Sequence, residues 1–344
     1  MRKSSWILSG SAVVLLAASA VTRFTVYPAL HQVPAESTTT FRYQGTATML
    51  NAAALQSGEG DPYLRDLPVT LDRRVVVEDT DGRTAVVSDA AVLRGPDGTK
   101  LSGSKDIWAV DRRTLADRPV PAGSGAAKHH GLVIAWPLEP EQRDYQFWDT
   151  PTQRAVPARY TGTASVSGRS AYVYSVEASG RLTEAATLES LPKALPREAV
   201  AGLSAALPAD QRPSEAELAA LPDTVPLTFT SDTERRGWVD ADTGLSLNGA
   251  LHQRVVAQTE GPDGPLALFP VTDVDVKGTT ASVRHQADEA ATAERLLWLL
   301  STAGPLGLLG LAVVLTVLAV WIERRRPAAR VAADENRGVA ARTA

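Results

Sequence analysis

Apolar residues concentrate at the two ends of this chain and alternate with polar ones between them. Trp6 to Val21 is one stretch free of charge, and Leu296 to Ile322 is a second. The second exceeds the ~20 residues that a helix needs to cross about 30 Å of hydrocarbon. The first rises only about 24 Å as a helix, and Thr22 with a snorkelling Arg23 would carry it to the interface. Ala18-Ser19-Ala20 also has the small-x-small form of a signal peptidase site, so anchor and cleaved signal are alternatives here. Arg2 and Lys3 precede the first stretch, and Arg324, Arg325, Arg326 and Arg330 follow the second. By the positive-inside bias both ends are then cytoplasmic and the middle is extracytoplasmic, which predicts a two-pass plasma-membrane protein.

Between these ends the dominant period is two. Val69, Leu71, Val75 and Val77 alternate with polar partners, Asp81-Gly82 offers a turn, and Thr84 to Leu93 supplies the next strand. Pro96-Asp97-Gly98 turns the chain again into Lys100 to Val110. The pattern restarts at Pro157 to Ala164, turns at Ser167-Gly168, and returns through Ser170 to Glu177. Further on, Trp238, Asp240, Thr243 and Gly244 form a structural turn motif that should reverse the chain into Leu245, Leu247 and Leu251. It echoes Trp108, Asp111 and Thr114, which suggests two related β lobes as readily as ordinary hairpin chemistry.

Leu182 to Leu221 has another texture, rich in Ala, Leu and Glu and broken by proline. Helices are predicted at Arg197 to Leu207 and Glu215 to Leu221, the second opened by a capping box of Ser214 with Glu217. The segment would serve as a cap over the core or as a partner-docking surface. The predicted fold is a mainly β ectodomain of antiparallel meanders, in two related lobes, with a small helical insertion and flanking transmembrane helices. Its expected segments are 1–5 cytoplasmic, 6–22 first membrane helix, 23–148 lobe 1, 149–294 lobe 2 with the insertion at 182–221, 295–322 second membrane helix and 323–344 basic tail.

Composition removes whole classes of chemistry. There is no cysteine, so thiol nucleophiles, cysteine metal sites and disulfide staples are all absent. A net charge of -4 gives nucleic-acid binding no electrostatic footprint. No nucleophile elbow, zinc-binding helix, phosphate loop or dinucleotide fingerprint occurs, and no cofactor or enzymatic activity is expected. His129-His130 points its rings to opposite sides of an extended chain, which disfavours a shared metal ion. Asp79-Thr80-Asp81-Gly82 lacks the remaining ligands of a calcium loop and reads as a hairpin turn. Asp240 and Asp242 share one turn, where backbone capping explains them better than glycoside chemistry.

Trp136, Tyr145, Phe147 and Trp148 form the densest aromatic cluster of an aromatic-poor chain. They would either line a ligand cleft or plug the interface between lobes. Tyr145-Gln146-Phe147-Trp148-Asp149, Gly162-Thr163, Tyr172-Val173-Tyr174, Trp238-Val239-Asp240 and Thr243-Gly244 together resemble an actinobacterial family that carries the label "porin PorA family protein". The resemblance covers nearly the whole chain. It implies an integral protein of the actinobacterial envelope, with some relatives connected to lipomannan and lipoarabinomannan maturation, and it brings no catalytic residues. Charges such as Arg73, Glu78, Asp89 and Arg254 punctuate the strands, so a transmembrane barrel is not expected.

Two functions follow as expectations. One is a non-enzymatic envelope protein whose partners are membrane lipids or lipoglycans, held or presented beside the bilayer. The other is a scaffold for a membrane glycosyltransferase or transporter, bound through the helical insertion or the Ser301, Gly304, Gly307 and Gly310 stripe of the second span.

Overall fold

The computed structural model describes residues 3–261 and 264–324, and the expected basic residues Arg2, Arg325, Arg326 and Arg330 lie outside them. The chain divides into two compact units, one formed by the two ends and one by residues 32–293.

In the first unit, helix α1 (Lys3–Val21) continues through a π-helical turn at Thr22–Val26 into α2 (Tyr27–Leu30). Among the described residues two helices are long and apolar enough to cross a membrane, Ile7–Leu30 and Thr280–Arg324. The first therefore runs eight residues past the expected end at 22: the π-helical turn at Thr22–Val26 carries the chain on, and Pro28 falls in the first turn of α2, where a missing N–H is tolerated. Small residues line the packing of the pair: Ala12, Ala312 and Ala319 are buried, and the Ser19 hydroxyl donates to the Pro305 carbonyl at 2.9 Å.

The second unit is built on one antiparallel sheet. A helical turn α3 (Ala52–Ser57) separates β1 (Thr38–Leu50) from β2 (Tyr63–Asp81), and β3 (Thr84–Arg94) and β4 (Lys100–Asp111) complete a meander. After a long connection come β5 (Tyr145–Asp149), β6 (Arg154–Val166) and β7 (Arg169–Arg181). The insertion contains α4 (Ala185–Glu189), β8 (Ala194–Pro196), α5 (Arg197–Ala205), α6 (Glu215–Ala219) and β9 (Thr224–Pro226). Strands β10 (Thr228–Asp240), β11 (Ser246–Gly261) and β12 (Gly264–Gly278) follow, then α7 (Thr280–Trp298), which passes by a π-helical turn into α8 (Gly304–Arg324).

Ten strands hydrogen-bond in the order β4-β3-β2-β1-β12-β11-β10-β7-β6-β5. The strands assigned to separate lobes at 23–148 and 149–294 thus share one sheet, joined where β1 pairs with β12. β5 straddles the expected boundary and takes β6 of the second half as its neighbouring strand. The sheet rolls until its ends meet around one core. Val77, Val87, Trp108 and Val110 from one end pack in the same cluster as Phe147, Val156, Tyr174 and Val176 from the other. The connection 112–144 fills the remaining gap, pairing Ala127 with Trp108 of β4 and Leu132 with Phe147 of β5.

The insertion seals a second part of the core. Leu182, Val200, Leu203, Leu207, Leu221 and Val225 pack on Phe229, Val255, Leu268 and Phe269. Its last helix opens as the sequence requires: the Ser214 hydroxyl accepts from the Glu217 N–H at 3.2 Å, while the Glu217 carboxylate accepts from the Ser214 N–H at 2.7 Å.

Candidate functional site

Alternation decides which side chains enter the rolled sheet. On β10 the buried residues Phe229, Ser231, Thr233 and Val239 mark the inner positions, and Arg235 falls in the same series. On β2 the inner series is Val69, Leu71, Arg73, Val75 and Val77, and the register sets Val75 opposite Asp89 and Asp89 opposite Asp106. Tyr43 of β1 lies opposite Leu71. A polar band therefore crosses an otherwise apolar interior: Asp106, Asp89, Arg73, Tyr43, Arg235 and Thr233.

Members of this band are unequally satisfied. Arg73 donates to Asp89 through Nε at 2.8 and 3.1 Å and through Nη2 at 2.5 Å, and it also donates to the Ile134 carbonyl at 3.0 Å. Burial works against the Arg73 charge, but Asp89 outweighs it and raises the guanidinium pKa further. Burial lifts the Tyr43 phenol above its ordinary value, against the opposing pull of Arg73 and Arg235.

Asp106 faces two like charges. Burial first, then Glu184 and Asp89, push its pKa up to about 6. Arg235 has the reverse problem: burial and the neighbouring Arg73 charge both pull its pKa down. Its guanidinium stands 5.8 Å from the Phe147 ring centroid, while its Nε is buried without a hydrogen-bond partner. The Thr233 hydroxyl is likewise buried and unpartnered.

Three of the four sequence-selected aromatics come together next to this band. Trp136 stacks on Tyr174 at 4.3 Å and approaches Phe147 at 5.9 Å and Tyr145 at 6.3 Å. Gly237 makes room for that stack, since a Cβ there would meet the Trp136 ring at 3.0 Å. Glu141 straps the cluster: its carbonyl accepts from the Tyr174 hydroxyl at 2.6 Å and its N–H donates to the Tyr145 hydroxyl at 2.8 Å. Trp148 projects from the opposite face of β5 and meets the His130 ring edge-on at 6.1 Å.

At the strand ends the turn motif occurs three times. Asp240 Oδ1 accepts from the Thr243 N–H at 2.9 Å and its hydroxyl at 2.8 Å, and Gly244 takes the left-handed conformation with φ 72°. Arg169 pairs with the same carboxylate at 2.5 and 3.0 Å. Asp111 accepts from the N–H groups of Arg113 and Thr114 at 2.9 and 3.0 Å, before Leu115 at φ 52°. Asp149 accepts from the Thr152 N–H and hydroxyl at 3.1 and 2.6 Å, before Gln153 at φ 52°. Burial opposes ionisation of Asp111 and Asp240, but backbone and arginine hydrogen bonds prevail and hold both pKa values below the ordinary carboxylate range.

The Asp149 copy and the polar band are what inspection of the pattern missed. Asp-x-x-Thr recurs at 111, 149 and 240, which is the signal for the former. For the band, the signal was an arginine at an inward position of an otherwise apolar alternation. Among the described residues no group of three or more His, Asp or Glu side chains is placed to hold a metal ion. An open pocket of about 340 Å³ lies on the outer face, between Pro157, Arg159, Thr161, Ser175, Glu177 and Arg236.

The Porin PorA family model matches residues 4–321. No curated protein matches the chain. Among solved structures, one from Lactobacillus plantarum described as an oleoyl thioesterase shares 11% identity over 79% of this chain and 88% of its own, with a TM-score of 0.14. One from Chloroflexus aurantiacus described as a MaoC domain dehydratase shares 13% identity over 77% and 80%, with a TM-score of 0.13. Likenesses at these scores carry no argument about fold or activity.

Proposed function

The chain belongs to the Porin PorA family, and from that premise we propose a non-enzymatic membrane-anchored protein that holds or presents a lipid or lipoglycan in the cell envelope. The observation that carries this reading is the buried, incompletely partnered Arg235, with Arg73 beside it, inside a rolled β sheet whose chain is bounded on both sides by apolar helices. The interior sets apolar side chains beside buried guanidinium groups, the two kinds of surface that an acyl chain and a head group require. The two helices cross the plasma membrane with both termini cytoplasmic and residues 32–293 outside.

The sheet itself does not conduct through a bilayer in this proposal. Asp232, Glu234 and Arg236 of β10 and Asp275 and Lys277 of β12 are exposed on its outer face, where a transmembrane barrel would turn them to hydrocarbon. Each such charge near the midplane costs up to about 2–4 kcal/mol.

Purification of the full chain in mild detergent, followed by lipid extraction and mass analysis, tests the ligand. A stoichiometric co-purified lipid or lipoglycan is the expected result, and protein free of both counts against it. The cysteine-free background suits a topology test: a lone cysteine introduced by Glu59→Cys should react with an impermeant maleimide on intact cells. Labelling only after lysis would reverse the orientation.

The scaffold reading keeps one observation of its own. At Gly307 and Gly310 of α8 an added Cβ would meet nothing within 4 Å, so this part of the stripe is not used up by packing against the first helix. Cross-linking from position 307 or 310 to another membrane protein would favour it.

A further inference from the structure

Thr233 and Arg235 sit two residues apart on β10, so their side chains leave the same face of the sheet about 7 Å apart. Thr233 is 1% exposed, and its Oγ1 has no hydrogen-bond partner; the Arg235 Nε is equally enclosed and equally unpartnered. Buried donors are nearly always paired, because the water they lose must be replaced. Two orphans side by side on one strand mark a place where a group with several acceptor oxygens belongs.

Nearby carboxylates do not fill that role. Asp89 is committed to Arg73 by three short hydrogen bonds, and Asp149 is committed to Thr152. Arg235 is thus drawn to Asp149 and Asp89 only from a distance. Its lateral neighbours on the sheet are apolar, Val176 on β7 and Leu251 on β11, and Phe147 lies beneath the guanidinium. Charge sits at one point and apolar surface around it.

We propose that Arg235 and Thr233, backed by Arg73, form an oxyanion site for a phosphoryl group inside the rolled sheet. The Arg235 guanidinium and the Thr233 hydroxyl offer donors from two separate side chains, while Arg73, held by Asp89, adds only its charge from behind, an arrangement that favours the several oxygens of a phosphoryl group. The apolar flank fits the organic part of a phospholipid, and this part of the proposal rests on the lipid-holding reading above. The same donors would also take free phosphate.

The test compares the full chain with Arg235→Met, Arg235→Lys and Thr233→Val in detergent. Each protein is equilibrated with vesicles of phosphatidylcholine, or of phosphatidylcholine and phosphatidylglycerol in equal parts, and retained lipid is read by native mass spectrometry. A parallel melting series uses inorganic phosphate alone. The expected result is a preference of the unaltered chain for phosphatidylglycerol that falls roughly tenfold in Arg235→Met and about threefold in Thr233→Val, with Arg235→Lys between them. Melting curves without ligand confirm folding, and the small Thr233→Val change keeps the test alive should Arg235→Met unfold.

A chain that retains no lipid but is stabilised by phosphate, an effect lost in Arg235→Met, would support the site with free phosphate as its ligand and remove the lipid. Lipid retention with the same head-group preference in all four proteins would overturn the site and leave the lipid reading standing. Binding of neither probe would overturn both.

Discussion

The strand ends and the strand middles of the rolled sheet treat buried charge in opposite ways. At the ends, Asp111, Asp149 and Asp240 are each covered and each accept at least two hydrogen bonds from the turn they close. In the middle, Arg235 and Thr233 keep unmatched donors, and Asp106 faces like charge. Carboxylates at the ends hold the backbone in place and need nothing more. The unmatched groups in the middle lack such partners, and under the proposed reading a bound ligand would supply them.

Removing an end carboxylate should give the largest effect. Asp240→Asn takes from Arg169, itself only 13% exposed, its two-point carboxylate partner and leaves the more distant Asp242 at 3.9 Å, and should cost about 3 kcal/mol in denaturant unfolding. A loss below 1 kcal/mol would dissolve the contrast. Asp106→Asn should do the reverse and stabilise the protein by about 1–2 kcal/mol at neutral pH, after discounting for solvent screening.

The sign can be checked by pH. The folded-state pKa of Asp106, about 6, lies above the ~3.9 of an unfolded aspartate, so the penalty is complete above pH 6 and vanishes as the pH falls towards 4. The gain from Asp106→Asn should shrink over that window. Asp111 and Asp240 behave oppositely: their depressed values contribute stability above about pH 4 that is lost on further acidification.

Smaller effects sharpen the comparison within the ends themselves. Arg83 pairs with Asp111 but is 57% exposed, so Arg83→Ala should cost at most about 1 kcal/mol, well below the Asp240 loss. Gln153 is exposed and holds φ 52°, a strained conformation for any residue with a Cβ. Gln153→Gly should therefore raise stability by about 0.5 kcal/mol, with the freedom of glycine in the unfolded chain offsetting part of the relief. A drop in melting temperature would show that the side chain contributes a contact outweighing that strain.

Local rules carried the elements and stopped at their closure. Period-two alternation and Asp-Gly or Ser-Gly turns are properties of neighbours, so β2 to β4 and β6 to β7 were legible from Val69, Val75, Asp81-Gly82 and Ser167-Gly168. The capping box at Ser214 was legible for the same reason. Pairing of β1 with β12 joins residues more than two hundred positions apart, and no local pattern encodes it. The two halves that the sequence sets apart at 148 contribute their strands to one sheet.

The site suffered the same limit. Trp136, Tyr145 and Phe147 stood out by type and proved to be neighbours, whereas Arg73 and Arg235 acquire meaning only when the roll sets β2 and β10 facing one interior. Asp149 was hidden for a different reason: its turn repeats a four-residue rule too short to notice until two other copies are seen to have the same hydrogen bonds.

The connection 112–144 hydrogen-bonds along both outermost strands, with the Ala127 N–H donating to the Ile107 carbonyl and the Trp148 N–H to Leu132. A bare strand margin is a template on which any extended polypeptide can add itself. Where many copies crowd on a two-dimensional surface, that danger grows with local concentration. Here the chain folds its own connection back over part of both margins, which leaves a neighbouring molecule less strand to pair with.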